Sequence, residues 1–292
     1  MQKGINKKLI IGTANFGSNY GRFNTKDFIL EDEAKEILEL GSRYECNILD
    51  TANDYQNSEK IIGNSGVKNL QIITKLDFSN PDLTIEEDLL EKILKQSLDR
   101  LKASKLYCLL FRKPIILTKE KFYPLWKEAE NLKKKKIINK IGITIYDPDE
   151  LDIILEKILP DVVQLPFNIF DNRFTRSGWL DKLHSSNVEI HARSVFLQGL
   201  LLQNTNNLKG YLNKYNYIWR KYKKWIRDEN LNPLDICMSY VNSQKKISKI
   251  VIGINSPKQL EEILNFKQTS MELPEWMMKI KNDMIKPNKW NS

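Results

Sequence analysis

The feature that most constrains the fold of this sequence is a regular alternation of short apolar runs with longer amphipathic segments. Such runs predict buried strands, and strands that alternate with helices are typical of parallel βαβ units. Eight units closed on themselves form a (β/α)8 TIM barrel, and 292 residues is an ordinary length for one barrel. We therefore expect an α/β protein with a single domain over residues 1–292. The predicted strands are 9–13, 47–51, 70–74, 106–111, 140–144, 161–165, 188–192 and 249–253.

The segments between these strands are predicted to be helices. Ser256-Pro257 opens the last of them, and the pair suits a helix start because serine caps a free N–H group and proline fits the first turn. The predicted helices are 31–42, 57–65, 86–102, 119–135, 148–158, 175–186 and 256–266.

Residues 203–231 interrupt this pattern with an inserted segment rich in aromatic residues and lysine. Its aromatic side chains could stack on nucleic-acid bases, pack as an inserted helix on the barrel, or form a loop that gates a substrate. The net charge is +9, but the lysines are scattered apart from the run 133–136, which closes a predicted helix. Because cations suit a helix C-terminus, we favour a solvated helix end and expect no nucleic-acid partner.

The cysteines and the N-terminus bear on the cellular compartment. Cys46, Cys108 and Cys237 are isolated in strand-like runs or in a predicted helix, which favours buried free thiols over disulfides or a metal site. No window approaches the roughly 20 apolar residues of a membrane span, and no signal peptide is recognisable. We therefore expect a cytoplasmic protein with no metal ion and no membrane partner.

An acid, a phenol and an amine follow two consecutive predicted strands. Asp50 lies at the end of the second strand, Tyr55 follows on its loop, and Lys75 directly follows the third strand. In a parallel barrel the carboxyl ends of the strands meet at one mouth, so these side chains should converge there. Lys75 can stabilise the phenolate of Tyr55, and Asp50 can keep Lys75 charged and oriented. The pattern predicts a proton-transfer site.

Several segments of the chain resemble the motifs of the aldo-keto reductase family. LDTANDYQNSEKIIG is similar to the family signature LDTAxxYGxSExxLG, and IIGTANFG is similar to its first strand and turn. KIGITIYDPDEL, VVQLPFN, RSVFLQGLL and VIGINSPKQLEEIL resemble four later segments of the family, so the resemblance covers nearly the whole chain. QLPFNIFDNR with EIHARSVFLQGLLL is also similar to a bacterial subgroup associated with polysaccharide or sugar-nucleotide gene clusters.

The resemblance implies an NAD(P)-dependent oxidoreductase that reduces a small-molecule carbonyl, an aldehyde or ketone, to an alcohol. Tyr55 would be the general acid, tuned by Asp50 and Lys75, and Gln164 would hold the carboxamide of the nicotinamide. A loop beside the pyrophosphate and a helix near the adenosine would complete the cofactor site. The residues that align with these two segments are Ser194, Phe196, Gln198, Gly199 and Leu200 in the loop, and Gln259 and Glu262 in the helix.

One departure from the family pattern lies at the catalytic end. Arg112, in LLFRKP, stands where the family has a histidine. Arginine cannot give up its proton, but it can donate hydrogen bonds to a substrate and favour the Tyr55 phenolate. It would also repel Lys75, so the change could weaken aldehyde reduction, select an anionic substrate, or mark lost activity. We expect His191, on the seventh strand, to be a hydrogen-bonded core residue rather than a replacement catalytic group.

Other departures lie along the expected cofactor site. Arg193 replaces an aromatic residue that stacks on the nicotinamide, a role that a flat guanidinium can also fill. Thr144 replaces a serine, and Ile145 replaces an asparagine that contacts the carboxamide. Gly253 and Gln259 stand where many members place a Lys and an Arg for the 2′-phosphate of NADPH. The cofactor is therefore expected to be NADP or NAD, with NADPH slightly favoured by the resemblance.

Two functions of different kinds remain open from the sequence. The first is a reductase of a sugar-like or anionic carbonyl compound, supported by Asp50, Tyr55 and Lys75. The alternative is a cofactor-binding member with weak catalysis that serves as a regulatory or scaffold subunit, because Arg112 replaces the catalytic histidine.

Overall fold

Eight parallel strands close into a barrel in the computed structural model, which describes residues 4–17, 23, 28–280 and 283–290. The first strand pairs with both the second and the eighth, so that Gly12 lies beside Asp50 on one side and Gly253 on the other. The predicted (β/α)8 barrel is confirmed. The strands are β1 Leu9–Gly12, β2 Ile48–Asp50, β3 Gln71–Asp77, β4 Leu106–Arg112, β5 Ile138–Thr144, β6 Val162–Pro166, β7 Glu189–Arg193 and β8 Lys249–Gly253.

The third strand is longer than its prediction. It was expected to end just before Lys75, but β3 continues to Asp77 because Leu76 is buried and Asp77 pairs with Arg112 of β4. Lys75 therefore lies inside a strand and not in the loop after it. Its backbone is held by β4 on one side, where it pairs with Leu110, and by the N–H of Asn53 on the other, which donates to the Lys75 carbonyl over 3.2 Å.

Helices surround the barrel and bury one face each. In α2, for example, Ala34, Ile37, Leu38 and Gly41 are buried, at the spacing of one helix face. The predicted helix 175–186 is wrong, because Gly178 with φ 78° divides it into α7 and α8. The helices are α1 Ile5–Lys8, α2 Glu31–Arg43, α3 Ser58–Asn64, α4 Leu89–Leu101, α5 Tyr123–Lys134, α6 Asp149–Ile154, α7 Arg173–Arg176, α8 Trp179–Ser185, α9 Asn216–Asp228, α10 Pro233–Ser243, α11 Pro257–Leu264 and α12 Glu275–Met278.

The interior of the barrel holds an apolar cluster and a polar network around His191. His191 on β7 is fully buried, and its Nε2 lies 2.7 Å from Oε1 of Glu189. Tyr107 donates its hydroxyl proton to the same oxygen over 2.7 Å, and Lys140 forms an ion pair with Glu189. The prediction of a hydrogen-bonded core histidine is confirmed. The apolar residues of the interior are Ile10, Ile48, Ile73, Cys108, Leu110, Val162 and Val251.

The aromatic segment 203–231 packs on the barrel mainly through α9. Trp219 and Tyr222 of α9 are fully buried, and both find hydrogen-bond partners within the chain. The indole N–H of Trp219 donates to the carbonyl of Thr205 over 2.7 Å, and the hydroxyl of Tyr222 donates to the carbonyl of Leu201 over 2.9 Å. These two rings are therefore part of the core and not a surface on which bases could stack.

The described part of the chain holds no helix that is long and apolar enough to span a bilayer. In the same residues, no cluster of three or more His, Cys, Asp or Glu side chains is placed to hold a metal ion. Cys46, Cys108 and Cys237 are buried free thiols.

Candidate active site

A cleft of about 160 Å³ opens at the carboxyl ends of the strands. Active sites of barrels lie at this end. The cleft brings together ten of the fifteen residues that the sequence nominated for the site. These are Asp50, Tyr55, Gln164, Arg193, Ser194, Phe196, Gln198, Gly199, Gly253 and Gln259. The other lining residues are Gly12, Ala14, Asn15, Val195, Leu202, Val251, Ile252 and Asn255.

A buried ion pair lies at the floor of this cleft. The ammonium of Lys75 is paired with Oδ1 of Asp50 and donates to the carbonyl of Thr51 over 2.8 Å. The side-chain amide of Gln164 donates to the second carboxylate oxygen of Asp50 over 2.8 Å. Both charged side chains are almost fully buried. Each oxygen of Asp50 therefore has a donor, which satisfies the condition under which a buried charge is stable.

Tyr55 lies above this pair on the loop between β2 and α3. The backbone of the loop is fixed by a turn, in which the N–H of Tyr55 donates to the carbonyl of Ala52 over 3.1 Å. The ammonium of Lys75 lies 5.1 Å from the centre of the phenol ring. Burial, together with the negative charge of Asp50, raises the pKa of Tyr55 to about 12, although the positive charge of Arg112 acts in the opposite direction. The phenol is therefore protonated at neutral pH and can act as an acid.

Arg112 ends β4 and lies on the other side of the same ring. The carbon of its guanidinium is 5.1 Å from the centre of the Tyr55 ring. The guanidinium is also a hydrogen-bond partner of the Tyr55 side chain. Its Nη1 forms an ion pair with Oδ2 of Asp54, a residue that the sequence analysis did not single out. Lys75 and Arg112 are thus each paired with a carboxylate. These carboxylates offset the repulsion that Arg112 is expected to exert on Lys75.

The loop after β7 presents an unusual run of backbone conformations to the cleft. Left-handed φ angles occur at Ser194 (59°), Leu197 (49°), Gln198 (54°) and Gly199 (86°). Successive residues of this kind turn backbone N–H groups toward one side, which is a way to bind anions. Asn168 anchors the loop, because its side-chain amide donates to the carbonyl of Ser194 over 3.0 Å. Leu200 is fully buried behind the loop and does not line the cleft.

Arg193 lines the cleft but is held against its wall. Its guanidinium lies 4.3 Å from the centre of the Tyr146 ring, and Nη2 donates to the backbone carbonyl of Ile145 over 3.0 Å. The flat face expected to stack on a cofactor ring therefore already lies against an aromatic ring of the protein. Thr144, at the end of β5, is buried and does not line the cleft.

One side of the cleft is formed by the strand ends of β1 and β8 and by the start of α11. Ser256 caps α11, since its hydroxyl accepts from the backbone N–H of Gln259 over 3.1 Å. Gln259 and Gly253 line the cleft, whereas Glu262 lies on the exposed face of α11 and does not. A side chain added at Gly253 would have nothing within 4 Å of its Cβ.

Two asparagines on this side of the cleft were not identified from the sequence. Asn15 follows β1 and Asn255 follows β8, and both line the cleft. The amide of Asn15 donates to the side-chain oxygen of Asn255, and the backbone N–H of Asn255 donates to the side-chain oxygen of Gln259 over 2.7 Å. Their positions just after strands are the signal that could have identified them.

Comparisons with known proteins agree with this barrel. A profile described as "Aldo/keto reductase family" matches residues 8–281. No curated protein sequence matches the chain. A solved aldo-keto reductase from Bacillus halodurans, in its holo form, is 19% identical with a TM-score of 0.69, and the match covers 94% of this chain and 92% of that chain. A glycerol dehydrogenase from Gluconobacter oxydans is 19% identical with a TM-score of 0.65, covering 95% of this chain and 90% of that chain. At this level of identity the two structures bear on the fold alone.

Proposed function

The chain belongs to the aldo/keto reductase family of NAD(P)H-dependent oxidoreductases, and from this premise we propose that it reduces a small carbonyl compound to an alcohol with Tyr55 as the proton donor. The observation that carries the proposal is the position of the phenol. It lines the cleft between the ammonium of Lys75 and the guanidinium of Arg112, each 5.1 Å from the centre of its ring.

The cleft has the donor and acceptor groups that a nicotinamide dinucleotide needs. Gln164 contributes a side-chain amide, the left-handed loop after β7 contributes backbone N–H groups, and Asn15 and Gln259 contribute two more side-chain amides. Asn15 Oδ1 is buried and has no hydrogen-bond partner among the described residues, so it can accept from a donor on a ligand. When bound, the reduced nicotinamide supplies the hydride for the carbonyl carbon.

The residues that line the cleft are those we propose to hold this cofactor. Gln164 and Arg193 would lie at the nicotinamide end. Gln198 and Gly199, with the backbone of the loop, would lie along the pyrophosphate. Leu200, Thr144 and Glu262 do not line the cleft, so any contribution from them would pass through the residues in front of them.

The chemistry of proton transfer follows from the charges around Tyr55. As negative charge develops on the substrate oxygen, the phenol donates its proton, and the phenolate that forms lies between two cations. Asp50 pairs with Lys75 and holds its ammonium in place, and Gln164 holds the second oxygen of Asp50. Arg112 acts as a hydrogen-bond donor and a fixed charge, because a guanidinium does not release its proton at ordinary pH.

The pair formed by Arg112 and Asp54 favours a neutral, hydroxyl-bearing carbonyl compound as the substrate. Guanidinium N–H groups donate and the half-exposed carboxylate of Asp54 accepts, so the two together match a hydroxyl group, which does both. A carboxylate or phosphate on the substrate would meet Asp54 as well as Arg112. We therefore place sugar-like compounds ahead of anionic ones.

The alternative of a weakly catalytic, cofactor-binding subunit has one observation in its favour. Arg112 replaces a group that can exchange protons, and its Nη1 is already held by Asp54. A protein of this kind would bind the dinucleotide but leave it unoxidised with every carbonyl offered.

One experiment separates these functions. The full chain is titrated with NADH and NADPH by calorimetry, and turnover is then measured with glyceraldehyde and with glyceraldehyde 3-phosphate, which differ only in the phosphate. We expect dinucleotide binding in the micromolar range, about 8 kcal/mol of binding free energy, and a higher kcat/KM for glyceraldehyde. Binding without turnover would support the subunit function, and a preference for the phosphate would overturn the substrate assignment.

A further inference from the structure

The loop that carries Tyr55 is closed by two buried hydroxyl groups. Thr51 follows β2 and Ser58 begins α3, and the oxygens of their side chains lie 3.0 Å apart. Both residues are fully buried. The backbone N–H of Ser58 also donates to the carbonyl of Tyr55 over 2.8 Å. The ends of the loop 51–58 are therefore joined through side chains as well as through the backbone.

Thr13, the residue after β1, connects this pair of hydroxyls to the neighbouring strands. The hydroxyl of Ser58 lies 2.8 Å from Oγ1 of Thr13 and 3.0 Å from its carbonyl oxygen. The hydroxyl of Thr13 in turn donates to the carbonyl of Asp50 over 3.0 Å. Thr13 is also fully buried. We call Thr13, Thr51 and Ser58 the hydroxyl triad.

The direction of each hydrogen bond in the hydroxyl triad follows from counting protons. Each of the three side chains has one hydroxyl proton to donate. Ser58 donates to Thr13, and Thr13 donates to Asp50, so the proton between Thr51 and Ser58 belongs to Thr51. Every proton of the triad thus has an acceptor, as buried hydroxyl groups require. The bonds run in one direction and end at the backbone of Asp50.

The hydroxyl triad contacts the backbone of the proposed catalytic groups and not their reacting atoms. The carbonyl of Thr51 accepts from the ammonium of Lys75 over 2.8 Å. The carbonyl of Asp50 accepts from both the N–H and the hydroxyl of Thr13. No member of the triad lines the cleft. The position of the Tyr55 phenol relative to the ammonium is therefore set from behind the cleft.

The loop needs such support because its backbone is not regular. Residues 51–57 lie between β2 and α3, and Gln56, directly after Tyr55, has a left-handed φ of 41°. A residue other than glycine keeps this conformation only when its surroundings hold it there. A displacement of about 1 Å in a reacting group can cost about 10²-fold in rate.

We propose that the hydroxyl triad is the positioning element of Tyr55, which holds the phenol in place for proton transfer. Its members are positioning residues, because they act through the loop and through Asp50. The inference rests on the proposed function and adds the groups that position its acid.

Hydrogen exchange tests this positioning without any turnover. Thr51→Val removes the hydroxyl and keeps the shape of the side chain, whereas Thr51→Ser keeps the hydroxyl. In Thr51→Val the backbone N–H groups of Tyr55 and Ser58, followed by NMR, should exchange about tenfold faster than in the native chain. In Thr51→Ser they should exchange at close to the native rate. Native exchange rates in Thr51→Val would overturn the inference.

Turnover with saturating glyceraldehyde gives a second readout. We expect kcat in Thr51→Val to fall by about 10–100-fold, with dinucleotide affinity unchanged and with turnover restored in Thr51→Ser. In the Tyr55→Phe background the same change should alter kcat by less than about twofold, because the triad acts through the phenol that is then absent.

Ser58→Ala removes the central hydroxyl and should reproduce Thr51→Val in both readouts. Ser239→Ala is the matched control. Ser239 is likewise a buried helical serine, and its hydroxyl donates to the carbonyl of Lys267 over 3.3 Å, but it does not line the cleft or contact the loop. Ser239→Ala should lower the melting temperature and leave kcat and the exchange of the loop close to native. An equal loss of kcat in the two serine variants would assign the effect to general destabilisation.

The outcomes separate this inference from the proposed function. If Tyr55→Phe loses turnover as expected while Thr51→Val keeps it, the inference is wrong and the proposed function stands. If Thr51→Val lowers kcat by the same factor with and without the Tyr55 hydroxyl, the triad does not act through Tyr55, and the inference is again wrong. If the native chain binds no dinucleotide at millimolar concentration, the proposed function fails, and the exchange rates still show whether the triad holds the loop.

Discussion

The guanidinium of Arg112 forms an ion pair with the carboxylate of Asp54. Arg112 lies against the ring of Tyr55, and Asp54 directly precedes Tyr55 in the sequence. The Arg112 side chain is 26% exposed and the Asp54 side chain 49% exposed, so water reaches the pair and its net strength is modest. The pair nonetheless sets the charge at the mouth of the cleft. Without Asp54 the mouth would carry an unbalanced positive charge.

Removal of that carboxylate should change which substrates the enzyme prefers. In Asp54→Asn the charge of Arg112 is no longer balanced, so kcat/KM for glyceraldehyde 3-phosphate should rise about tenfold relative to glyceraldehyde. Steady-state kinetics with the two compounds measure the ratio. Asp77→Asn is the matched control, since it releases Lys113 on the neighbouring strand end without contact to Tyr55. An unchanged ratio in Asp54→Asn would show that the pair does not control selectivity.

The buried pair of Asp50 and Lys75 should be far more costly to break. Lys75→Met leaves the Asp50 carboxylate buried without its counter-ion, and we expect the free energy of unfolding to fall by about 3–5 kcal/mol. The double variant Asp50→Asn with Lys75→Met removes both charges and should recover much of this loss. Urea unfolding of the three proteins measures the difference. A loss below about 1 kcal/mol in Lys75→Met would contradict a stabilising buried ion pair between Lys75 and Asp50.

The polar network inside the barrel should make stability depend on acid pH. Burial acts to raise the pKa of Glu189, but hydrogen bonds and charges from His191, Lys140 and Tyr107 outweigh it and lower the pKa to about 2. A depressed carboxyl pKa stabilises the fold above its ordinary value of 4.5, and this stability is lost as pH falls from 4.5 towards about 2. The contribution at neutral pH is at most about 3 kcal/mol.

Glu189→Gln tests this relationship. The variant should be less stable than the native chain at pH 7, and the difference between the two should shrink as pH falls below about 4. Thermal unfolding across this pH range measures it. Asp181→Asn serves as the control because it breaks a well-exposed ion pair with Lys246. A difference that stays constant with pH would mean that the ionisation of Glu189 is not coupled to folding.

The barrel could be predicted from sequence because strand length and alternation are local properties. Each of the eight predicted strands lies within a few residues of an observed one. Asp50, Tyr55 and Arg112 could be placed at one mouth by the rule that parallel strands share a carboxyl end. Gly178 could not be recognised as a helix break, because glycine inside an amphipathic pattern is also tolerated as a helical residue.

Contacts between distant segments could not be predicted in the same way. The pairing of Asp54 with Arg112 joins the loop after β2 to the end of β4, and nothing in either local sequence specifies it. The hydrogen bond between Asn15 and Asn255 links the segments that follow the first and the last strand, and neither local sequence specifies it either. The sequence alone therefore left an anionic substrate open as one consequence of Arg112, because the carboxylate that balances its charge could not be foreseen.

The central claim is that Tyr55 donates the proton to the substrate oxygen. Tyr55→Phe removes the hydroxyl and keeps the ring between Lys75 and Arg112. Tyr146→Phe is the control, because it removes another tyrosine hydroxyl near the same mouth and keeps the ring that Arg193 covers.

The measurement is the rate of dinucleotide oxidation with saturating glyceraldehyde, taken together with dinucleotide affinity by calorimetry. We expect turnover in Tyr55→Phe to fall by about 10²–10⁴-fold, with dinucleotide affinity within about twofold of native and Tyr146→Phe close to native in both. Turnover in Tyr55→Phe within about threefold of native, at unchanged affinity, would contradict the account and assign the proton to another group.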